Sequence, residues 1–185
     1  MSTSLPADPA DLGALAARRL IARKQLSPVE LAEACIARTE AVDHAVNALI
    51  ARDFDGMLEG ARGAEAAVMR GAPLGALHGL PLAVKDMVDV AGLPTTYGSE
   101  VFRDNIATGD DAMVVALRGA GALPMGKTNT PEWSAGANTR NTVNGVTANP
   151  YDLSRTCAGS SGGSAVALAC GYAPLATGSD TGGSL

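Results

Sequence analysis

The sequence predicts an α/β fold in which helices cover a mixed, largely parallel sheet, preceded by a helical N-terminal segment. Two observations lead to this prediction. Residues 1–70 carry apolar side chains mainly at helical spacing. From Gly71 onward, short apolar runs bounded by glycine and proline alternate with short helical patterns. Such alternation is typical of parallel strands joined by helices.

The N-terminal segment, residues 1–70, is interpreted as a helical cover over the sheet. Its predicted helices are rich in Ala, Leu and charged residues and span Ala10 to Lys24, Pro28 to Val42 and Phe54 to Arg70. The start of the second helix is the best defined. Ser27 can cap it, Pro28 suits its first turn, and Glu30 completes a capping box.

Residues 71–185 are interpreted as the first part of an α/β core. Three apolar runs too short for helices predict strands at Leu82–Val84, Ala122–Met125 and Ala173–Ala176. Helices are predicted at Ala112–Gly119, after the capping residues Asp110 and Asp111, and at Ser164–Cys170. The stretch from Thr128 to Thr156 has little periodicity and many Asn, Thr and Gly residues, which indicates a long ordered loop of the kind that often carries function.

Composition restricts the class of protein. With 46% hydrophobic and 18% charged residues, the chain is typical of a globular domain. No apolar run approaches the length of a membrane span and no signal peptide is evident, so a cytoplasmic protein without membrane contact is expected. The acidic residues that give the net charge of −5 are scattered among basic residues, so no concentrated basic face is indicated. This argues against a nucleic-acid partner and for a small-molecule partner. The three cysteines have no disulfide or metal-ligand spacing and are expected to be reduced.

The densest chemical signal is a pair of glycine–serine segments, residues 159–164 (Gly-Ser-Ser-Gly-Gly-Ser) and residues 178–184 (Gly-Ser-Asp-Thr-Gly-Gly-Ser). A single such segment is most often only a turn. Successive N–H groups in the second segment could form a cup for an anionic oxygen. Ser184 at its end is a candidate nucleophile, but a serine needs a base at neutral pH.

Lys85 is the candidate base. His44 lies inside a predicted helix and His78 in a loop, and both are interpreted as structural or exposed. Lys85 ends an apolar run, so burial is expected to depress its pKa and favour the neutral amine. Asp86 follows it on the strand and is expected to face the opposite side of the sheet, away from Lys85.

Four ordered motifs resemble those of the amidase signature family: residues 82–86 (Leu-Ala-Val-Lys-Asp), 126–129 (Gly-Lys-Thr-Asn), 159–164 and 178–184. The resemblance extends from about Leu26 to the last residue. It implies the amidase signature fold and a Ser-cisSer-Lys triad, with Lys85 as base, Ser160 as relay after a cis peptide bond, and Ser184 as nucleophile. Cys157 and Ala158 depart from the family, where many members have proline and glycine.

The resemblance further implies hydrolysis of a small-molecule carboxylic amide through an acyl-enzyme on Ser184. The family's oxyanion hole corresponds to the backbone N–H groups of Thr181, Gly182, Gly183 and Ser184. Ser161 and Asp180 are expected to support the site. No metal or organic cofactor is implied, and a homodimer stays open. Family members are more than twice as long. One expectation is therefore that this chain is a fragment that ends just after the nucleophile and is inactive in isolation.

Three alternatives stay open from the sequence. Residues Gly121–Thr128 fit the G-x-x-x-x-G-K-T phosphate loop of nucleotide hydrolases, although a helix precedes the match and a poor helix follows it. If no phosphate binds there, Lys127 should be dispensable for chemistry. Residues 159–163 also fit a nucleophile elbow centred on Ser161, although no histidine follows. The third alternative is the amidase-like A subunit of a tRNA-dependent amidotransferase.

Overall fold

The computed structural model describes residues 6–185. The α-helices of this part of the chain are α1 (Ala14–Ala22), α2 (Pro28–Val46), α3 (Phe54–Met69), α4 (Ala112–Gly119) and α5 (Gly162–Ala169). Its strands are β1 (Leu49–Arg52), β2 (Pro81–Lys85), β3 (Leu123–Thr128), β4 (Arg140–Asn141), β5 (Gly145–Val146), β6 (Ala148–Asn149), β7 (Asp152–Thr156) and β8 (Leu175–Ala176). Residues 1–5 of the predicted cover lie outside the described residues.

The predicted fold class is confirmed. The main sheet has the strand order β1-β3-β2-β8. Strand β2 pairs in parallel with both β3 and β8, whereas β1 pairs antiparallel with β3. A core cluster that includes Met57, Ala83 and Val166 joins α3 and α5 to this sheet. Strand β2 is therefore central, and all five of its residues are buried.

Local capping signals explain where the predicted helices begin. The Ser27 hydroxyl accepts a hydrogen bond from Val29 N at 2.9 Å, and Glu30 accepts one from Ser27 N at 3.0 Å, which confirms the capping box. Helix α2 continues to Val46 and ends at Asn47, whose φ of 53° is left-handed. It is therefore longer than predicted. Helix α4 has the predicted bounds.

The first predicted helix is interrupted. A 3₁₀ turn at Pro9–Asp11 is capped by Asp8, and α1 begins only at Ala14. Gly13 lies between the two elements in an extended conformation, which breaks the helical path. The N-terminal segment is helical as predicted, but in shorter pieces.

Strand β1 lies within the segment interpreted as a helical cover, between the predicted helices Pro28 to Val42 and Phe54 to Arg70, and was not predicted. The Asp43 carboxylate accepts hydrogen bonds from Ala48 N at 2.8 Å and Leu49 N at 3.1 Å, so the chain leaves α2 in an extended conformation. Residues 49–52 then pair with β3. Four residues are too few for a periodic signal, and pairing with a distant strand decides their conformation. The domain division at residue 70 stays a prediction.

The stretch from Thr128 to Thr156 was predicted to be a long ordered loop, but it contains some regular structure. It contains two short hairpins, β4/β5 and β6/β7. Amide and hydroxyl side chains order it: Asn129 Nδ2 donates to Thr147 Oγ1 at 3.0 Å, and Asn141 Nδ2 donates to Thr130 O at 2.7 Å. Three of the four strands have only two residues, and all five residues of β7 are exposed, so none of them shows a readable alternation of buried and exposed positions.

None of the helices described within residues 6–185 combines the length and the apolar character that crossing a bilayer requires.

Candidate active site

Lys85 is the last residue of β2 and is fully buried. Its Nζ lies 2.8 Å from Ser160 Oγ, 3.1 Å from Ser161 Oγ and 2.9 Å from Ser179 Oγ. The backbone position is fixed as well, because Lys85 N donates to Thr177 Oγ1 at 2.8 Å. The end of the central strand thus holds one amine against three hydroxyl groups.

The surroundings of Lys85 favour its neutral form. Desolvation by burial lowers the pKa of Lys85 to about 8, and the nearby Asp180 carboxylate opposes this shift by favouring the charged form. An amine with this pKa is largely able to accept a proton at mildly alkaline pH. The physical condition for a lysine base is met at this position.

Ser160 and Ser161 lie in the tight turn that leads into α5. The peptide bond between Gly159 and Ser160 is cis. The Ser160 carbonyl accepts a hydrogen bond from Thr130 Oγ1 at 3.1 Å, which ties the turn to the residues after β3. A Cβ at Gly163 would lie 2.4 Å from Asn129 N, so this close approach requires glycine.

Ala158 stands where the resemblance described above leads us to expect glycine. Its φ of 63° lies in the left-handed region, where glycine is the least strained residue. Alanine adopts this conformation at a cost of about 1–2 kcal/mol.

The segment 178–185 forms a turn whose N–H groups converge on a negative charge. The Asp180 carboxylate accepts hydrogen bonds from Gly183 N at 2.6 Å and Leu185 N at 3.2 Å. Backbone N–H groups of this turn, that of Gly183 first, lower the pKa of Asp180. The turn therefore binds an anionic oxygen, although the Gly183 donor is occupied by Asp180.

Ser184 adjoins the Lys85 cluster through its backbone. Its carbonyl accepts a hydrogen bond from Ser161 N at 3.2 Å. Within residues 6–185, its hydroxyl makes no hydrogen bond and is not joined to Ser160. The structure thus brings Lys85, Ser160 and Ser161 into direct contact, and it brings Ser184 beside them without the side-chain contact of a relay.

Ser179 is a site residue that sequence reasoning missed. It contacts Lys85, and its hydroxyl also donates to Met87 Sδ at 3.1 Å. A signal was present, because Ser179 follows β8 within the second glycine–serine segment. Parallel strands bring the residues at their carboxyl ends together, so a hydroxyl after β8 lies near the residue that ends β2.

Asp86 faces away from Lys85, as the alternation of a strand predicts. It accepts hydrogen bonds from Thr96 N at 3.0 Å and from the Thr96 hydroxyl, and Lys127 Nζ lies 3.3 Å from its Oδ1. Asp86 and Lys127 are both fully buried. Lys127 Nζ also donates to Pro94 O at 2.9 Å. This ion pair holds the loop after β2 against the sheet.

The phosphate-loop alternative does not fit this arrangement. Residues 123–128 of the match form β3, and the next element in the described chain is a three-residue 3₁₀ turn at Glu132–Ser134 instead of the α-helix that a phosphate loop opens. Lys127 is buried against Asp86, so it cannot reach a phosphate. The expectation that Lys127 is dispensable for chemistry stays a prediction. Its loss should lower stability, because it leaves a buried carboxylate without a cation.

We expect Lys127→Met to lower the free energy of unfolding by about 3–5 kcal/mol, because breaking a buried pair leaves one charge uncompensated. Urea unfolding followed by circular dichroism measures the change. Lys24→Met is the matched control, since Lys24 is exposed and its loss should cost less than about 0.5 kcal/mol. Adding Asp86→Asn to Lys127→Met should restore part of the lost stability. Equal stability of Lys127→Met and the wild type would contradict the structural role of the pair.

The two histidines do not reach the site. His44 is exposed on α2, and His78 Nε2 lies 3.0 Å from the Ala64 carbonyl oxygen. Both match the structural or exposed interpretation. Ser161, the candidate of the elbow alternative, contacts Lys85 and has no histidine partner among the described residues.

A cavity of about 220 Å³ adjoins the site. Its walls are largely apolar, and its lining includes Cys157, Ser161, Ala165, Leu168, Thr177 and Ser184. A small molecule that entered it would have the hydroxyl groups of Ser161 and Ser184 within its boundary.

Comparison with known proteins gives one consistent result. The family model Amidase matches residues 30–185. The A subunit of a glutamyl-tRNA(Gln) amidotransferase from Acidothermus cellulolyticus is 46% identical over 166 residues, which cover 90% of this chain and 33% of that protein. An acylamidase from Rhodococcus erythropolis is 44% identical over 165 residues, which cover 89% of this chain and 35% of that protein.

Comparison with solved structures also finds amidases. A solved structure of an amidase superimposes with a TM-score of 0.86 at 38% identity, covering 94% of this chain and 39% of the other. The chain thus spans about a third of the length of the curated relatives it matches.

Proposed function

Because the chain belongs to the amidase signature family, we propose that it supplies the catalytic groups for hydrolysis of a carboxylic amide C–N bond. Ser184 is the nucleophile, Ser160 the proton relay and Lys85 the base. The observation that carries the proposal is the 2.8 Å contact between the buried Lys85 Nζ and Ser160 Oγ.

Hydrogen-bond directions support Ser160 as the relay. The Ser161 hydroxyl donates to Ser179 O at 3.2 Å, and the Ser179 hydroxyl donates to Met87 Sδ at 3.1 Å. Both hydroxyl oxygens are therefore acceptors for the two N–H groups of a neutral lysine. The lone pair of Lys85 is left for the Ser160 hydroxyl proton, which has no other acceptor among the described residues.

The chemical steps follow from this assignment. Lys85 accepts the proton of Ser160 while Ser160 accepts that of Ser184, and Ser184 Oγ attacks the amide carbonyl carbon. The C–N bond breaks as Lys85 and Ser160 return one proton to the leaving nitrogen. Water then attacks the ester on Ser184, activated by the same pair, and releases the carboxylic acid.

The oxyanion of the tetrahedral intermediate is proposed to bind N–H groups of Thr181, Gly182, Gly183 and Ser184. The convergence of this turn on the Asp180 carboxylate supports its affinity for anionic oxygen. In the structure the Gly183 N–H donates to Asp180, so its use requires the substrate oxygen to replace that carboxylate. One oxyanion donor contributes about 3 kcal/mol to transition-state stabilisation.

The proposal is tested with the complete polypeptide that carries these 185 residues. We expect release of ammonia or amine from a panel of amides, because the relay can protonate the leaving nitrogen. Added hydroxylamine should divert the acyl group to a hydroxamate without slowing amine release, as expected when an acyl-enzyme precedes water attack. No amine release across the panel, from folded protein, would refute amide hydrolysis.

A second candidate is a role as the A subunit of a tRNA-dependent amidotransferase. The 46% identity to such a protein favours it. The same three residues would then release ammonia from an amide donor for use elsewhere in a complex. Glutamine hydrolysis that appears only with added partner subunits would favour this role, whereas turnover of small amides by the polypeptide alone favours the first.

A further inference from the structure

Three aromatic side chains form a cluster at the loop after β3. The chain has one Trp, three Tyr and two Phe. Tyr97 and Trp133 stack with ring centroids 5.6 Å apart and an interplanar angle of 17°. Phe102 meets both rings edge-on, at 5.3 and 5.4 Å. Half of the aromatic residues are thus concentrated in one place.

Contacts from the neighbouring residue connect this cluster to Ser160. Ser134 follows Trp133, and its hydroxyl lies 2.9 Å from Thr130 Oγ1. Thr130 Oγ1 in turn donates to the Ser160 carbonyl at 3.1 Å. A Cβ built at Gly159 would lie 3.3 Å from Gly136 O, so the loop that carries Trp133 packs against the Gly159–Ser160 turn.

A second set of contacts leads to the candidate base. The Ser134 hydroxyl lies 3.3 Å from Met87 Sδ, which also accepts from the Ser179 hydroxyl at 3.1 Å. Ser179 Oγ lies 2.9 Å from Lys85 Nζ. The loop with Trp133 therefore packs directly against the Gly159–Ser160 turn and is connected to Lys85 through Met87 and Ser179. Trp133 and Ser134 themselves do not line the cavity beside Ser184.

The backbone at the cluster is held in an uncommon conformation. Tyr97, Trp133 and Ser134 have φ values of 51°, 56° and 55°. Non-glycine residues adopt this left-handed conformation only at a cost in free energy, and such residues concentrate at functional sites. Trp133 N donates to Tyr97 O at 2.7 Å, which fixes the two residues to each other. The strained pair presents an indole that is 51% exposed.

We propose that Trp133 and Tyr97 form an aryl platform that binds a planar aromatic group of the amide substrate. The inference rests on the proposed amide hydrolysis and names the substrate class: amides with an aryl group on one side of the scissile bond. Offset stacking of a flat ring on an exposed indole face is favourable, and a rigid stacked pair pays little conformational entropy on binding.

The arrangement favours a neutral aryl group over a cation. The three rings pack against one another and do not surround an open space, so they form no cage. The nearest acidic neighbour in sequence, Glu132, has its Oε1 bonded to the Ser99 hydroxyl at 2.7 Å. The half-exposed indole of Trp133 is the feature offered to a ligand.

Binding is tested in the complete polypeptide with Ser184→Ala, so that probes are not turned over. Benzamide is titrated while tryptophan fluorescence is recorded at the red edge of indole absorption. Cyclohexanecarboxamide is the matched probe, since it has the same ring size and amide but no π face. We expect benzamide to bind roughly two- to tenfold more tightly. In a background with Trp133→Leu, which removes the tryptophan signal of this chain, isothermal titration calorimetry should show that the two probes bind equally tightly.

Specificity is tested by kinetics. Trp133→Leu should lower the ratio of kcat/KM for benzamide over cyclohexanecarboxamide roughly two- to tenfold. Trp133→Phe should retain most of the preference, because it keeps an aromatic face. Tyr151→Leu is the matched control, since Tyr151 is 86% exposed on the β6–β7 turn and lies outside the cluster. Turnover of propionamide should be unchanged in Tyr151→Leu.

The outcomes separate the two proposals. The platform is overturned if the ratio of kcat/KM for benzamide over cyclohexanecarboxamide is the same in the wild type and in Trp133→Leu and benzamide gives no fluorescence response. This holds even when propionamide is hydrolysed. A fluorescence response to benzamide in a protein that hydrolyses no amide overturns the proposed function and leaves the platform as a binding site. A reduced ratio confined to Trp133→Leu supports the platform.

Discussion

Lys85→Met is expected to remove the pH-dependent limb of the rate and to lower kcat on the order of a hundredfold or more. Lys85 accepts a proton only as the neutral amine. Because burial lowers its pKa to about 8, the wild-type rate should rise as pH increases through about 8 and level off above it. Methionine keeps the length and apolar character of the side chain but has no basic group, so the limb should disappear. The measurement is kcat as a function of pH for one amide.

Lys127→Met is the control, because it removes a second buried lysine from the strand adjacent to β2. Its pH limb should match that of the wild type when rates are normalised to the folded fraction. Lys127 bonds Asp86, Pro94 and Thr95 rather than the serine hydroxyls. If Lys85→Met kept the wild-type rate and profile, another group would be the base.

Ser184→Ala is expected to reduce amide hydrolysis roughly 10⁴- to 10⁶-fold, because removing one residue of a catalytic unit abolishes nearly the whole rate enhancement of that unit. The hydroxamate formed with hydroxylamine should fall below detection, since no acyl group can form without the Ser184 oxygen. Steady-state amine release and hydroxamate colorimetry measure both quantities. Folding should be little affected, because the Ser184 hydroxyl has no hydrogen bond within residues 6–185.

Ser161→Ala is the comparison variant. It removes the Ser161 hydroxyl that accepts a hydrogen bond from Lys85 Nζ at 3.1 Å, but it leaves the Ser184 nucleophile in place. Hydroxamate formation should therefore persist at a lower rate. Loss of hydroxamate in Ser161→Ala together with its retention in Ser184→Ala would reverse the assignment and favour the elbow alternative.

Features encoded by adjacent residues were predictable from the sequence. The Ser27–Glu30 capping box starts α2, and Asp111 caps α4 by accepting from Met113 N at 2.8 Å. The orientation of Asp86 away from Lys85 followed from strand alternation alone. Each of these features depends on side chains within a few residues of one another.

Features that depend on distant pairing were not predictable. Strand β1 forms because β3 lies beside it, and the sequence of four residues carries no periodicity that distinguishes it from its helical neighbours. The Lys127–Asp86 pair joins residues 41 positions apart. Lys85 and Ser160 are 75 positions apart, so their contact could be expected only from the resemblance of ordered motifs.

The most direct test of the central claim is the site of covalent labelling by a fluorophosphonate. The probe phosphonylates an activated serine and releases fluoride, and intact mass spectrometry followed by peptide mapping locates the adduct. The complete polypeptide should carry one adduct, on Ser184, and labelling should slow markedly in Lys85→Met because Ser184 then lacks its base. An adduct on Ser161, or labelling of Ser184 at an unchanged rate in Lys85→Met, would contradict the proposed Ser184–Ser160–Lys85 mechanism.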